Sequence, residues 1–434
     1  MRVGITTLGC KVAQYESQAI AEELIRRGAE ISESGEGCDA YIINTCTVTA
    51  ESDRKCRQTI RRAISKNPGA KVAVLGCYSE RRAEEVAAIT GVSIVLGTNG
   101  KMAVVDMLMS GEKDADVAPR VEISPLEGSS FEPMTVRSFP RARAYVKIED
   151  GCDCRCSYCA ISAARGPVRS KELCDVISEV SALGDSVCEV VLTGIELGCY
   201  GRDLENRATL AGVIRELSEK TEIRALRLGS LAPELISEEL CSALSESGIA
   251  VPHYHLSIQS GSDRILGLMR RRYNSKGIRR AAEALRATSD RRVSLTADLI
   301  VGFPTETEED FLDTFSLVSE LELLDAHVFA YSKRAGTPAA EMEGQLPEAV
   351  KKERSARLSR EVERVKTLVL ERMVSEGGEY PAILETYQGD GIYSAHTDSY
   401  VEIRGKYPEG HEGEAVKAVP LRVIDGALEV EFLA

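Results

Sequence analysis

Tryptophan is absent from this 434-residue chain, and aromatic residues make up only 5% of it. Stacking on a planar ligand therefore falls to tyrosine or phenylalanine, with Tyr15, Tyr158, Phe303 and Tyr331 as candidates. No run of eighteen apolar residues occurs, and Met1–Leu8 reads directly into a strand, so neither a membrane span nor a signal peptide is expected. The expected location is cytoplasmic, with no membrane partner. Cations are outnumbered, with 54 Lys and Arg against 68 Asp and Glu and a net charge of −14. That balance argues at first against nucleic acid, which demands phosphate-neutralising side chains. The basic residues are clustered, however, in Arg54–Arg62, in Arg137, Arg141, Arg143 and Lys147, and in Arg270–Arg272 with Lys276, Arg279 and Arg280. Such blocks next to chemistry-bearing motifs favour RNA contact.

Thirteen cysteines are present. A reducing compartment makes disulfides the wrong expectation for a chain of this size, and metal chemistry the right one. The run Gly151-Cys-Asp-Cys-Arg-Cys-Ser-Tyr-Cys159 spaces Cys152, Cys156 and Cys159 as C-x3-C-x2-C. Three thiolates so placed can hold three irons of a 4Fe–4S cube and leave the fourth open for a ligand. A zinc knuckle is the alternative, but no second C-x2-C lies nearby to complete four ligands. Cys154 adds a fourth thiol inside the loop. Cys174, Cys188, Cys199 and Cys241 sit among apolar neighbours and read as small buried hydrophobes.

The pattern predicts an α/β chain in several parts. In residues 1–110, strands Arg2–Leu8, Asp39–Thr45, Lys71–Gly76 and Val92–Leu96 alternate with helices Gln14–Arg27, Glu51–Ser65 and Glu80–Ala88. That is a parallel sheet with helices on both faces. Residues 111–140 read as a linker. From 141 to 345, strands Ala144–Ile148, Glu189–Thr193, Leu226–Ser230, His255–Gln259, Ser294–Val301 and Ala326–Tyr331 suggest a partial (β/α)6 barrel with its chemistry at the C-terminal strand ends. A connecting helix over 346–373 leads into 374–434. There, strands Tyr380–Glu385, Ser399–Arg404, Ala415–Pro420 and Leu428–Phe432 suggest a small antiparallel β-barrel.

Cys10, Cys46 and Cys77 are more than thirty residues apart, yet each directly follows a strand of the N-terminal sheet. Parallel strands end on one edge, so the three thiols are expected to converge there and hold a second cube. Cys38 and Cys56, at a strand start and inside a helix, are left out.

The motifs Thr6–Glu16, Asn44–Thr49, Lys55–Arg62 and Gly76-Cys-Tyr78 resemble the N-terminal domain of the radical S-adenosylmethionine (SAM) methylthiotransferases. Gly151–Cys159, Ala164-Arg-Gly166, Val190–Glu196, His255–Gly261, Asp298–Pro304, His327–Pro338 and Ala395–Tyr400 continue the resemblance over nearly the whole chain. It implies an auxiliary-cluster domain, a radical SAM barrel and a C-terminal TRAM domain that grips the substrate. It also implies two 4Fe–4S clusters, SAM, an external electron donor and a sulfur source. SAM bound to the Cys152/Cys156/Cys159 cluster would yield a 5′-deoxyadenosyl radical, and the Cys10/Cys46/Cys77 cluster would carry the sulfur. Gly194 and Glu196 look like the motif that receives the SAM amino group. Gln259, Ser260, Asp298 and Gly302 are candidates to line its ribose or adenine, and Arg270 to pair with a carboxylate or phosphate. His253, His255 and His327 read as core hydrogen-bonding residues rather than catalytic ones.

Thr7-Leu-Gly-Cys-Lys-Val12 with Gln14-Tyr-Glu16, Asp53–Gln58 and Tyr331-Ser-Lys-Arg334 are most similar to the branch acting on N6-threonylcarbamoyladenosine beside the tRNA anticodon. The expected partner is thus a tRNA anticodon stem-loop. The isopentenyladenosine branch and the ribosomal-protein branch are the alternatives, and a non-enzymatic iron–sulfur carrier is a third. A carrier has no use for Gly194, Glu196 and Gly302-Phe-Pro304. Ala13, Ser257 and Ser162-Ala163 depart from the family pattern. From 371 to 434 thirteen Asp and Glu face five Lys and Arg, an acidic balance for a domain expected to grip RNA.

Overall fold

The computed structural model describes residues 1–32, 35–110, 118–139, 142–184 and 187–433. The N-terminal sheet has six parallel strands, in the order Glu30–Ile31, Arg2–Thr7, Ala40–Thr45, Lys71–Gly76, Ile94–Leu96, Arg120–Glu122. Helices cover both faces because the central strands are apolar on both: Ala40–Thr45 is buried at every position. One face packs Val3, Ile42 and Leu75 against Ile20 and Leu24, and the other packs Ile43, Val74 and Val95 against Ile60 and Val86.

Two expectations change here. Arg120–Glu122, inside the expected linker, pairs with Ile94–Leu96, and Met134 and Val136 beyond it are buried against Tyr15. The segment carries no periodicity because it uses single anchors rather than an amphipathic face. The expected helix Glu80–Ala88 is two short helices, Cys77–Arg81 and Ala83–Ala87, broken at Arg82.

The second part forms six strand positions in two parallel sheets around one apolar core. Arg143–Lys147, Glu189–Thr193 and Leu226–Leu228 make the first sheet. Ser230–Leu231, His253–Gln259, Ser294–Val301 and Asp325–Ala330 make the second. The run Leu226–Leu231 passes from one to the other through Gly229, whose N–H bonds back to Leu192 O at 2.8 Å. The expected single strand over Leu226–Ser230 is therefore two. Of the cysteines read as buried hydrophobes, Cys199 is buried, Cys188 and Cys241 are half-buried, and Cys174 is exposed on the outer face of helix Leu173–Leu183.

Helix Glu348–Glu376 runs along the second sheet into a closed five-stranded barrel. Its strands are Tyr380–Gly389, Ile392–Thr397, Glu402–Lys406, Ala415–Ile424 and Ala427–Leu433. Ile392–Thr397 was not anticipated, although Asp390-Gly391, both at positive φ, make the tight hairpin before it. The strand expected over Ser399–Arg404 lies at Glu402–Lys406, and it pairs parallel with Ala427–Leu433, so the barrel is not wholly antiparallel.

Candidate active site

Each cysteine of the N-terminal set sits where a parallel strand gives way to a turn. Cys10 caps helix Lys11–Arg26, Cys46 follows Ala40–Thr45, and Cys77 opens helix Cys77–Arg81. A glycine precedes two of them for steric reasons. A Cβ on Gly9 would lie 3.3 Å from Cys46 Cβ, and one on Gly76 would lie 2.6 Å from Asn44 Oδ1 and 2.7 Å from Thr45 O. Gly76 also holds φ at +104°, which a side chain disfavours. The three thiols act on one another electrostatically, and burial pushes the Cys46 thiol up to about 12. Arg165 donates from Nε to Cys77 Sγ at 3.2 Å.

The barrel cysteines lie on a loop pinned by backbone. Cys152 N–H bonds to Gly166 O at 3.0 Å and Ser157 N–H to Met269 O at 3.0 Å. A Cβ on Gly151 would fall 1.9 Å from Pro167 O, so only glycine fits. Every sulfur of the set accepts a hydrogen bond. Cys154 N–H reaches Cys152 Sγ (3.5 Å), Arg271 Nη1 reaches Cys156 Sγ (3.2 Å), and Ile161 N–H reaches Cys159 Sγ (3.4 Å). Such donors favour the thiolate over the thiol, against burial, which raises the Cys156 and Cys159 pKa values.

Both sets belong to one space. A cavity of about 780 Å³ is lined by Cys10 and Cys46 on one side and by Cys152, Cys154, Cys156 and Cys159 on the other. Cys77 lies just behind, fully buried beside Arg165. The two halves are fastened around this cavity. Arg334 reaches across to Thr47 Oγ1 (2.6 Å) and Asp53 Oδ2 (2.7 Å), beside Cys46. Beneath it, Glu16 is ion-paired with Lys101 and accepts from Lys147 and Arg165, and Asp150 accepts from Lys147 and Arg165. Arg169 also lies 3.7 Å from Asp150, so four cations face these two carboxylates beside Cys77. Two three-thiolate sets, each with an arginine on a sulfur, fit cubes that carry net negative charge and keep an open iron.

Gly194 and Glu196 line the cavity, in a loop held from below. Glu149 is wholly buried and its Oε2 accepts from Ile195 N–H (2.7 Å) and Glu196 N–H (2.9 Å). A Cβ on Gly194 would meet that oxygen at 2.5 Å. Burial, with the neighbouring Cys154 charge, raises Glu196 to about 8. Gln259 lines the cavity too, at φ +67° beside a register shift in its strand. Such strain in a non-glycine residue is typical of a functional wall.

Asp298 lines the cavity but is already engaged. Its Oδ1 accepts from His255 Nε2 (3.2 Å) and His327 Nδ1 (3.1 Å). The ligand atoms of the three residues lie within 4.8 Å of one another, close enough for one cation, although here both imidazoles bind the carboxylate directly. Hence His255 and His327 are cavity residues, against the expectation of core roles, because alternate residues of a barrel strand point inward. His253 is buried, as expected.

Three candidates lie outside this cavity. Ser260 is turned into the fold, its hydroxyl 3.1 Å from Thr314 Oγ1. Gly302 donates to the Glu306 carboxylate at 3.0 Å and makes room for Lys351, whose Cγ a Cβ would meet at 2.5 Å. Arg270 is exposed at φ +59°, and its neighbour Arg271 enters instead. Among the stacking candidates Tyr158 and Tyr331 line the cavity. Tyr15 is buried against Met134 O and Glu179, and Phe303 packs edge-on to Tyr331. Phe329, not anticipated, lines the cavity with 37% of its surface exposed.

Of the basic blocks, Lys55, Arg61 and Arg62 are exposed, as are Arg272, Lys276 and Arg280. Arg143 and Lys147 are inward ion-pair residues, Arg143 with Glu189 and Glu385, and so are not free for RNA. Arg141 lies outside the described residues. No helix among those described is long and apolar enough to cross a membrane.

The sequence is similar over 97% of its length to the threonylcarbamoyladenosine tRNA methylthiotransferase MtaB of Bacillus subtilis, with 37% identity across 94% of that protein. The chain belongs to the radical SAM methylthiotransferases. The MtaB protein of Thermotoga maritima is 36% identical over 92% of the chain and 90% of its own length. The tRNA-2-methylthio-N(6)-dimethylallyladenosine synthase of Moorella thermoacetica is 36% identical over 82% and 81%. The radical SAM superfamily model matches residues 146–318, and a model described as uncharacterized protein family UPF0004 matches 2–97. A solved structure of the cobalamin-dependent SAM radical enzyme OxsB overlays with a TM-score of 0.48 at 10% identity, covering 84% of this chain and 57% of that one. SAM and 4Fe–4S clusters are the cofactors of this methylthiotransferase family, so the sulfur-lined cavity is where its chemistry is expected.

Proposed function

We propose that this methylthiotransferase inserts sulfur and a methyl group at carbon 2 of N6-threonylcarbamoyladenosine, beside the anticodon of tRNA. The observation that carries the reading is the facing of two thiol sets across one cavity of about 780 Å³. Two relatives matched over at least 90% of both chains are MtaB proteins.

Cys152, Cys156 and Cys159 would hold the cluster that takes SAM, and Cys10, Cys46 and Cys77 would hold the second. Together the cofactors supply an electron, a carbon radical able to break an unactivated aromatic C–H bond, and the sulfur to be inserted. The protein's own part is position and charge. Arg271 and Arg165 each donate to a sulfur and offset the negative charge there. Glu149 fixes the backbone of Ile195 and Glu196, so that the Glu196 carboxylate presents itself to the SAM ammonium. Gln259 and Asp298 form the wall on which the rest of SAM and the substrate lie. Phe329, Tyr158 and Tyr331 offer the apolar faces for a base unstacked from the anticodon loop. Exposed Lys55, Arg61, Arg62, Arg272, Lys276 and Arg280 suit the phosphates of the stem-loop. An external reductant and a sulfur source complete the set of partners, in the cytoplasm.

The test is mass spectrometry of tRNA nucleosides from a strain lacking this gene. Loss of the 2-methylthio form of N6-threonylcarbamoyladenosine, with the unmodified nucleoside accumulating, is expected. An unchanged threonylcarbamoyl profile with loss of the isopentenyl product, or of a modified ribosomal protein, would contradict the substrate reading.

A further inference from the structure

Behind the large cavity lies a smaller one of about 140 Å³. Four of the chain's five histidines line it: His253, His255, His327 and His396. Lys11, His255 and His327 line both cavities and so form the partition between them. The space is too small for a nucleoside, well under the ~300–1,000 Å³ of drug-sized pockets, but it suits a short polar arm.

One buried ring nitrogen on its wall has no hydrogen-bond partner. His253 is 4% exposed, its Nε2 lies 3.0 Å from Thr296 Oγ1, and its Nδ1 has no hydrogen-bond partner. His327 uses Nδ1 on Asp298, which leaves Nε2 for a ligand. Lys11 is half-buried; burial and then the Arg227 charge lower the pKa of its ammonium, against the charges of Glu189, Asp298 and Cys10. The C-terminal barrel closes the far wall with Tyr400. Its ring is stacked against His253 (4.7 Å) and His396 (4.9 Å) and lies under the Arg227 guanidinium (4.9 Å). Asp325 and Glu402 also line the cavity. Lys366, on helix Glu348–Glu376, lines it as well, but Lys11 and His327 stand on the partition side, next to the cavity of the thiols, where an anion carried on the substrate would enter.

We infer that this cavity receives the threonylcarbamoyl arm of the substrate, with Lys11 and His327 reading its carboxylate while the adenine lies among the thiols. The inference rests on the proposed substrate and adds how that substrate is told from its relatives. A carboxylate pairs with both donors, and the arm's hydroxyl and carbamoyl groups are short enough to reach His253. An isopentenyl arm, being apolar, would cover the half-buried Lys11 ammonium and bring it no carboxylate to pair with. The arrangement also gives the acidic C-terminal barrel a role that needs no phosphate contact: its His396–Tyr400 segment completes the pocket.

The experiment compares reconstituted holoenzyme on tRNA carrying N6-threonylcarbamoyladenosine with the same tRNA after methyl esterification of the arm. Wild type should favour the free acid in kcat/KM by about tenfold or more, the loss expected when a charge-assisted hydrogen bond goes. His327→Gln should shrink that ratio by raising KM for the acid more than for the ester, and Lys11→Gln should do the same in samples with full iron content. Equal turnover of acid and ester by wild type, or an unchanged ratio in both variants, would overturn the inference. The wild-type comparison decides even where a variant does not fold. Turnover of neither tRNA, with product on isopentenyl tRNA instead, would overturn the substrate reading itself and the pocket's occupant with it.

Discussion

Asp298 accepts hydrogen bonds from His255 and His327, and this favours the charged form of His327. The hydrogen bond and charge of Asp298 raise the His327 pKa above its ordinary value, against partial burial and the Lys11 charge. The sign follows. A raised histidine pKa adds stability that is full below the unfolded value of about 6.5 and is lost as pH climbs through the folded value. With only five histidines, the ring protons can be followed by NMR. His327 should titrate above about 6.5, and Asp298→Asn should bring it down. A midpoint at or below the ordinary value in wild type would contradict the hydrogen-bonded pair. The cysteines were legible at this scale because thiols are rare and their spacing and strand-end positions are sequence facts. Arg271 was not legible. Arg270 and Arg271 differ by one position in a turn after helix Asp263–Leu268, and no periodicity says which of them enters the cavity.

At the scale of elements, the turn from strand Lys71–Gly76 into helix Cys77–Arg81 is the most constrained part of the N-terminal site. Gly76→Ala should cost about 1–3 kcal/mol, through the positive φ and the close Asn44 and Thr45 oxygens. The readout is the urea midpoint, and loss of N-terminal iron should accompany it; a midpoint within error of wild type would contradict the account of the turn. The strand–helix alternation was legible because central parallel strands are continuous apolar runs. Strand Arg120–Glu122 was not, since it is three residues long, lies at an edge and is exposed at two of them. The hairpin at Asp390-Gly391 carried a readable turn signal, but the strand after it, Ile392-Tyr-Ser-Ala-His-Thr397, alternates in burial more cleanly than in residue type.

Across the whole molecule, the buried charges join what the sequence separates. Glu16 comes from the first helix, whereas Lys147, Asp150 and Arg165 come from the barrel, and no pattern in the sequence pairs residues so far apart. Neighbouring cations hold the Glu16 carboxyl well below the usual range despite its burial. Glu16→Ala leaves four cations around Asp150 and should cost about 3–5 kcal/mol by denaturant titration. A loss of less than about 1 kcal/mol would show that the halves do not depend on it. The exposed cations should appear in salt dependence. Replacing Lys55, Arg61 and Arg62 together should flatten the slope of log affinity against log salt by roughly 0.7–0.9 for each phosphate no longer neutralised, and an unchanged slope would place the RNA elsewhere. Reconstituted protein should hold about eight irons, half of them missing when Cys152, Cys156 and Cys159 become alanine.

The central claim is that one cavity divides its labour between two thiol sets. The most direct test measures SAM cleavage and methylthio product in the same samples of Cys46→Ala, with Cys154→Ala as the control that keeps its iron. Cys46→Ala should still cleave SAM to 5′-deoxyadenosine and form no methylthio product on tRNA bearing N6-threonylcarbamoyladenosine. Full product from that variant, or loss of SAM cleavage while the barrel iron remains, would contradict the account.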